Sequence, residues 1–219
     1  MKKIAVIFDL DGTLIDNNSY HIKAWQQFYK KRKRTLTEAE YKQYFNGKTN
    51  ADVLAHVFQQ QLSPRQSEAY TNEKESLYRS IYEPHIKPVK GLLNLLQQLQ
   101  DAKIPMAIAT SGIKVNIDYM FRHLDIKNFF KEIIYSKHVQ KGKPDPEIFL
   151  ITAKQLNVLP QNCLVFEDSV AGIQSAKAAG MKVIAIATTH TLQELSIADK
   201  IIDNYDAVSV KDIYELLKK

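Results

Sequence analysis

The chain has little cysteine and no long apolar stretch, and each shortage excludes a class of protein. Its 219 residues include a single cysteine, Cys163, so a disulfide bond within the chain is impossible. No segment approaches the roughly 18 consecutive apolar residues that a membrane-spanning helix needs. Internal repeats and low-complexity tracts are also missing, which excludes a repeat architecture. These shortages predict a cytoplasmic globular protein without a membrane partner.

The positive charge raises the question of an anionic partner, because the net charge is +6 and Lys30 to Arg34 are five successive basic residues. They follow a stretch with helical spacing of apolar residues, so they lie at a predicted helix end, where cations offset the negative pole. No module or aromatic-interleaved basic platform for nucleic acid accompanies them. The sequence therefore favours a solvated helix end and predicts no nucleic-acid partner.

Apolar runs of strand length recur along the chain and alternate with helical patterns. The runs are Lys3 to Phe8, Ile104 to Ala109, Cys163 to Phe166 and Lys182 to Ala187. Runs that are apolar on both faces are typical of parallel strands covered by helices. Helical spacing is found between the runs, at 92–99, 115–124, 146–156 and 170–179. This alternation predicts an α/β fold with a doubly wound, Rossmann-like parallel sheet.

The segment from about Ser19 to Tyr82 interrupts the alternation. It lacks an apolar strand run, shows helical spacing instead, and has Pro64 where a helix can begin. Two prolines between Glu83 and Pro88 would end a helix. We therefore predict an α/β core of residues 1–16 and 88–219, and a small helical cap of residues 17–87 inserted after the first strand. Such a cap can close over a substrate.

Polar residues follow the predicted strands at the end where open α/β sheets bind ligands. The first run leads into Asp9-Leu10-Asp11-Gly12-Thr13, the second into Thr110-Ser111-Gly112 and the third into Glu167-Asp168-Ser169, and Lys143 precedes a further helix. Each group alone has a structural explanation, such as a turn or a helix cap. Their occurrence at equivalent strand ends favours a functional site.

These residues resemble the haloacid dehalogenase superfamily, whose four motifs occur here in order: Asp-x-Asp-Gly-Thr at 9–13, Thr110, Lys143 and the acidic pair Glu167-Asp168. The segments VIFDLDGTLID, GKPDPEIF and FEDSVAGIQSAKAAG are most similar to its β-phosphoglucomutase-like branch. The resemblance covers essentially the whole chain, including the cap. It implies a phosphoryl-transfer enzyme that forms an aspartyl-phosphate.

The resemblance also implies a role for each motif residue. Asp9 is the nucleophile and Asp11 the general acid and base. Thr110 and the Ser111 amide bind the transferring oxygens, with Gly112 as a further substrate-binding residue, and Lys143 offsets negative charge. Magnesium is held by Asp9, the main-chain carbonyl of Asp11, and Asp168, with Glu167 assisting. A cation is needed because a carboxylate and a phosphate charge 4 Å apart repel by about 4 kcal/mol at an effective dielectric near 20.

The cap residues bear on the substrate. By resemblance, His21 lies near the general acid and base, and Lys74 reaches the substrate. The loop Asn46-Gly47-Lys48-Thr49-Asn50 corresponds to the cap loop that binds the second phosphate in β-phosphoglucomutase, so Gly47, Lys48 and Asn50 are candidate substrate-binding residues. Asn46 and Asn50 stand where the mutase has a lysine and an arginine, and an amide replaces a bidentate arginine poorly.

The sequence thus predicts a monomeric, magnesium-dependent phosphatase of small phosphorylated metabolites, in particular sugar phosphates. Two alternatives remain open, a β-phosphoglucomutase that converts β-glucose 1-phosphate to glucose 6-phosphate, and a catalytically silent binding module. A dehalogenase is disfavoured because members with that activity lack the second aspartate, which is present here as Asp11. Intact motif residues also disfavour the silent module.

Overall fold

A parallel sheet forms the centre of the computed structural model, which describes residues 3–45 and 48–218. In this described part of the chain the sheet has six strands in the order β3-β2-β1-β4-β5-β6. The strands are β1 (Ala5–Phe8), β2 (Met106–Thr110), β3 (Phe130–Tyr135), β4 (Cys163–Glu167), β5 (Lys182–Ile186) and β6 (Lys200–Ile202). Each neighbouring pair is parallel. The predicted α/β class and doubly wound sheet are confirmed.

The sequence pattern missed the two edge strands. In β3 only Phe130 and Ile134 are buried, and Lys131 is exposed. In β6 only Ile202 is buried. An edge strand keeps one side near solvent, so its sequence carries polar residues and lacks the continuous apolar run that identified the central strands.

Helices cover both faces of the sheet because each central strand is apolar on both sides. Val6 and Phe8 of β1 point into one core cluster and Ala5 and Ile7 into the other, which follows the two-residue period of a strand. The first face is covered by α5 (Leu92–Asp101), α6 (Lys114–His123) and α9 (Val210–Lys218), and the second by α7 (Glu147–Leu156) and α8 (Val170–Ala178). This packing fixes the strand ends that bear the polar residues.

The predicted insert is helical. It contains α1 (Asn18–Lys31), α2 (Glu38–Tyr44), α3 (Asn50–Phe58) and α4 (Pro64–Tyr82). Thr37, Thr49 and Ser63 cap the last three of these helices, and Pro64 stands in the first turn of α4 as predicted. Aromatic and aliphatic residues, including Trp25, Phe28 and Leu54, give these helices a core of their own. This separate core supports a cap, although its bounds at 17 and 87 stay a prediction.

The two connections between cap and sheet lie side by side. Ile15 and Pro88 form an isolated antiparallel bridge, and the Val89 amide donates to the Leu14 carbonyl at 3.0 Å. Paired connections of this kind let a small domain move as a unit relative to the sheet.

The basic run Lys30 to Arg34 lies at the end of α1 and serves packing within the cap. The Arg32 guanidinium lies 3.5 Å from the centre of the Phe28 ring and 2.7 Å from Glu73 Oε2. Arg34 donates to the Val57 carbonyl at 2.6 Å. These contacts give at least two of the five cations a structural role.

None of the helices in the described residues is both long and apolar enough to span a membrane.

Candidate active site

The strand ends bring the predicted motif residues into one cavity. Asp9 follows β1 directly, Thr110 ends β2, and Glu167 ends β4, so the parallel register places the three residues next to one another. Lys143 precedes α7 and lines the same cavity, as does Asp11. All of these side chains except that of Asp11 are buried. The structure therefore brings together the core residues that the sequence singled out.

Lys143 connects two of the carboxylates. Its ammonium donates to Asp9 Oδ1 at 2.7 Å, to Glu167 Oε1 at 2.5 Å and to the Ala109 carbonyl at 3.3 Å. Burial lowers the pKa of Lys143, but the two carboxylates outweigh burial and raise it above the ordinary value. Lys143 is therefore a fixed positive charge beside Asp9.

Both carboxylate oxygens of Glu167 accept hydrogen bonds from other residues of the protein. Its Oε1 binds Lys143, and its Oε2 accepts the Asp168 amide at 2.9 Å and the Ser169 amide at 2.8 Å. Gly172 packs against this carboxylate so closely that a Cβ there would lie 1.8 Å from Oε1. This arrangement suits Glu167 to positioning Lys143 and the turn into α8, and its role at a metal stays a prediction.

Asp168 is held at the same edge by neutral donors. Its Oδ2 accepts Asn18 Nδ2 at 2.9 Å and also the Thr189 hydroxyl. Burial, together with the charges of Glu167 and Asp9, raises the pKa of Asp168 well above its usual range. Gly12, at φ +74°, approaches so closely that a Cβ would lie 2.2 Å from Asp168 Oδ2. The main chain of the first motif therefore packs directly on the Asp168 side chain.

The nucleophile candidate Asp9 is in a similar electrostatic position. Burial, together with the charges of Glu167 and Asp11, raises its pKa to about 7 against the lowering effect of Lys143. Buried carboxylates that crowd together favour a bound cation, since a cation stabilises their charged forms.

The donor set fits magnesium with two carboxylates rather than three. Among the residues that the structure describes, no three acidic, histidine or cysteine side chains are grouped closely enough to hold a metal by themselves. Magnesium commonly binds one or two carboxylates, with water and substrate phosphate completing its shell. Asp9 and Asp168, together with the main-chain carbonyl of Asp11, supply such a set, and this assignment stays a prediction.

The end of β2 provides groups suited to phosphate oxygens. The Thr110 hydroxyl accepts the Gly112 amide at 3.0 Å, which leaves its own O–H to donate. Ser111 and Gly112 line the cavity just before α6 begins at Lys114. The N-terminus of a helix favours anions because its amides point outwards.

Asp11 is held in its ionised form by residues from the start of the cap. Asn17 Nδ2 lies 2.5 Å from Asp11 Oδ1, and His21 Nε2 lies 3.5 Å from the same oxygen. Burial raises the pKa of Asp11, but His21 and the Asn17 amide outweigh burial and lower it. An ionised Asp11 can accept a proton from an attacking hydroxyl group or water molecule.

The predicted cap residues His21 and Lys74 both reach this site. The Lys74 ammonium lies 2.7 Å from His21 Nδ1, and the imidazole stacks on the Tyr78 ring with 3.7 Å between centres. Lys74 also donates to Glu75 Oε1 at 2.9 Å. Lys74 is 2% exposed and His21 is 8% exposed, so neither is a solvated surface residue.

The cap loop contributes Lys48 and Asn50 to the lining of the cavity. The Asn50 amide donates to Glu75 Oε1 at 2.8 Å. The predicted substrate-binding residue Gly47, like its neighbour Asn46, lies outside the described residues.

Several residues of the cavity were missed by the sequence pattern. Those that line it are Asn18, Glu75 and Asn116. Asn17 and Tyr78, which contact the lining residues Asp11 and His21, were missed as well. Asn17-Asn18 carried a usable signal, because two adjacent amides stand at the start of α1 and close to the first motif. The others lie on α4 and α6, where polar residues are also found on exposed faces, so their type alone does not mark them as part of the site.

Comparison with known proteins gives a consistent assignment. A family model described as haloacid dehalogenase-like hydrolase matches residues 6–186. A phosphorylated carbohydrates phosphatase from Thermotoga maritima is 28% identical over 192 residues, which cover 87% of each chain. The β-phosphoglucomutase of Bacillus subtilis is 32% identical over 195 residues, which cover 83% of this chain and 82% of the mutase.

A solved structure agrees closely with this fold. A HAD hydrolase of family IA, variant 3, from Entamoeba histolytica covers 100% of both chains with a TM-score of 0.89 and 34% identity. Some curated relatives are longer, and the chain spans 57% of one and 54% of another. The chain belongs to the haloacid dehalogenase-like hydrolases, in their β-phosphoglucomutase-like branch, and is an enzyme of the phosphatase or phosphotransferase type.

Proposed function

We propose that this enzyme is a magnesium-dependent phosphatase of small phosphorylated metabolites, in particular sugar phosphates, and that it forms an aspartyl-phosphate on Asp9. The observation that carries the proposal is the convergence of Asp9, Asp11, Lys143 and Thr110 on one cavity. The curated phosphatase from Thermotoga maritima supports the substrate class. We further propose that the protein acts as a cytoplasmic monomer with no nucleic-acid or membrane partner.

The side chains divide the reaction into two displacements at phosphorus. In the first, a carboxylate oxygen of Asp9 bonds to phosphorus while the bond to the leaving oxygen breaks, and that oxygen takes the proton of the protonated form of Asp11, a minor fraction because the pKa of Asp11 is lowered. In the second, Asp11 takes a proton from water, whose oxygen bonds to phosphorus and releases Asp9. Lys143 and Thr110 bind the phosphoryl oxygens throughout. Magnesium, when bound, would neutralise phosphate charge beside Asp9.

Substrate entry requires the cap and the core to separate. The cavity has a volume of about 80 Å³ and is lined by both the cap and the core, for example by Trp25 and Thr110. Pockets for small organic ligands are commonly about 300–1,000 Å³. The described arrangement is therefore a closed one, and a sugar phosphate enters before this closure.

Removal of magnesium gives the first test. We expect the enzyme to lose activity after treatment with EDTA and to regain it when magnesium is added, because Asp9 and Asp168 otherwise repel the phosphate. Asp168→Ala should raise the magnesium concentration required for half-maximal activity. A magnesium titration of phosphate release measures both effects, with Asp203→Asn as a control at an exposed acidic residue. Full activity in excess EDTA after removal of bound metal would exclude the proposal.

β-Phosphoglucomutase activity is the second candidate, because the Bacillus subtilis relative carries that name and Lys48 lines the cavity. A mutase must hold the second phosphate of a bisphosphate intermediate while the first is transferred. Asn50 is instead hydrogen-bonded to Glu75, and Lys74 is paired with Glu75. These contacts favour transfer to water.

An assay that follows both products separates the two reactions. With β-glucose 1-phosphate as substrate and a trace of glucose 1,6-bisphosphate as primer, we expect free phosphate to form faster than glucose 6-phosphate. Water needs no second phosphate site, whereas a sugar phosphate acceptor does. A mutase flux at least tenfold above phosphate release, about 1.4 kcal/mol in barrier terms, would overturn the phosphatase proposal.

A further inference from the structure

Glu75 is a buried carboxylate inside the substrate cavity that the proposed mechanism does not use. It lies on α4 and is 3% exposed. Lys74 donates to its Oε1 at 2.9 Å, Asn50 to the same oxygen at 2.8 Å, and Asn116 to Oε2 at 2.6 Å. Burial raises its pKa, but Lys74, His21 and Asn116 lower it to about 2. Glu75 is therefore negatively charged at any physiological pH.

Glu75 accepts hydrogen bonds from the same donor groups that would have to bind a second anionic group of the substrate. Lys74 is paired with Glu75, and the Asn50 amide points at the same oxygen. Asn116 of the core helix α6 donates to Glu75 through its amide and accepts Arg79 of α4 on its Oδ1 at 2.8 Å. An arriving phosphate or carboxylate would have to compete with Glu75 for these groups.

The residues around the cavity also provide no excess of positive charge for a second anion. Among the described lining residues, five are acidic (Asp9, Asp11, Glu75, Glu167 and Asp168) and three are lysines (Lys48, Lys74 and Lys143). One magnesium ion would balance the excess of two negative charges. The dianionic phosphate of one ester then makes the loaded site negative, and a second phosphate adds repulsion inside a closed cavity, where charges are screened weakly.

We propose that Glu75 restricts the enzyme to phosphate monoesters whose remaining part is neutral and hydroxylated, and that it rejects substrates with a second anionic group. The inference rests on the proposed phosphatase function. Repulsion by a fixed charge is an effective means of discrimination because it penalises the wrong ligand without demanding new contacts with the right one. The amides of Asn50 and Asn116, and Glu75 itself, remain suited to hydrogen bonds with sugar hydroxyls.

The test compares glucose 1-phosphate with glucose 1,6-bisphosphate by measuring kcat/KM for initial phosphate release. We expect the wild-type enzyme to prefer the monophosphate by at least tenfold. Glu75→Gln, which keeps the shape and removes the charge, should reduce this ratio at least tenfold. Glu75→Asp, which keeps the charge, should retain more than half of it. Glu38→Gln removes an exposed cap carboxylate and should leave the ratio unchanged.

The outcomes separate this inference from the proposed function. If no phosphate monoester is hydrolysed, the proposed function itself is wrong. If monophosphates are hydrolysed but the wild-type enzyme uses the bisphosphate equally well or better, the role of Glu75 is wrong while the phosphatase function stands. Equal loss of selectivity in Glu75→Gln and Glu75→Asp would assign the effect to shape and overturn the charge argument. If one variant at position 75 fails to fold, the wild-type ratio can still overturn the inference, and the other variant still tests the role of the charge.

Discussion

Asp9→Asn is expected to abolish turnover and the formation of a phosphoenzyme. An amide has no charged oxygen with which to attack phosphorus, so the first displacement cannot occur. The geometry of the site should otherwise survive, because an asparagine carbonyl can still accept the hydrogen bond that Lys143 gives to Asp9 at 2.7 Å. Phosphate release and phosphoenzyme formation, both measured with saturating magnesium, report the effect.

Stability must be measured beside activity in this variant. Removing one partner of a buried ion pair often costs about 3–5 kcal/mol, although Glu167 still faces Lys143 here. Thermal unfolding of Asp9→Asn therefore shows whether the loss is chemical or structural. Asp125→Asn, at an exposed acidic residue, is the matched control and should keep normal activity. Near-normal turnover by a folded Asp9→Asn enzyme would refute the nucleophile assignment.

Asp11→Asn is expected to slow hydrolysis of a sugar phosphate by roughly 10²–10⁴, the usual effect of losing a general acid or base. The two half-reactions should respond differently. An aryl phosphate such as p-nitrophenyl phosphate has a leaving group that needs no proton, so its first displacement should remain fast. The second displacement still needs a base, so the phosphoenzyme should accumulate after a rapid burst of nitrophenol.

The burst can be followed by rapid mixing, with Asp16→Asn as a control at an exposed carboxylate of the same segment. The control should show steady turnover without accumulation. If Asp11→Asn slowed sugar and aryl phosphates equally and no phosphoenzyme accumulated, Asp11 would not act as the general acid and base. The contacts from Asn17 and His21 would then have a purely structural purpose.

The core of the site was predictable because its motifs are local in the sequence and because the parallel topology brings the strand ends together. Asp9, Thr110 and Glu167 each stand at the end of a buried parallel strand, where the residue type and the preceding apolar run can be read directly. Parallel strands must end at the same edge, so their convergence follows without knowledge of distances. Lys143 does not follow a predicted strand, and its role was inferred from the resemblance to the family.

The cap part of the site could not be read in the same way. On α4 the buried stripe consists of Lys74, Glu75, Tyr78 and Tyr82, so a search for apolar spacing passes over it. Asn50 of α3 and Asn116 of the core both donate hydrogen bonds to the buried Glu75 carboxylate. Such burial depends on how the cap packs on the core, which the sequence of α4 does not contain. The edge strands β3 and β6 were not predicted for a related reason, because a partly exposed strand lacks a continuous apolar run.

Trapping of the covalent intermediate tests the central claim most directly. The enzyme is mixed with magnesium and a sugar phosphate, quenched in acid within the first turnovers, digested, and examined by mass spectrometry. We predict that one phosphoryl group is found on the peptide that contains Asp9, and that Asp9→Asn yields none. A phosphoryl group on any other side chain, or turnover in wild-type enzyme with no phosphopeptide even when Asp11→Asn is used to slow its breakdown, would contradict the account.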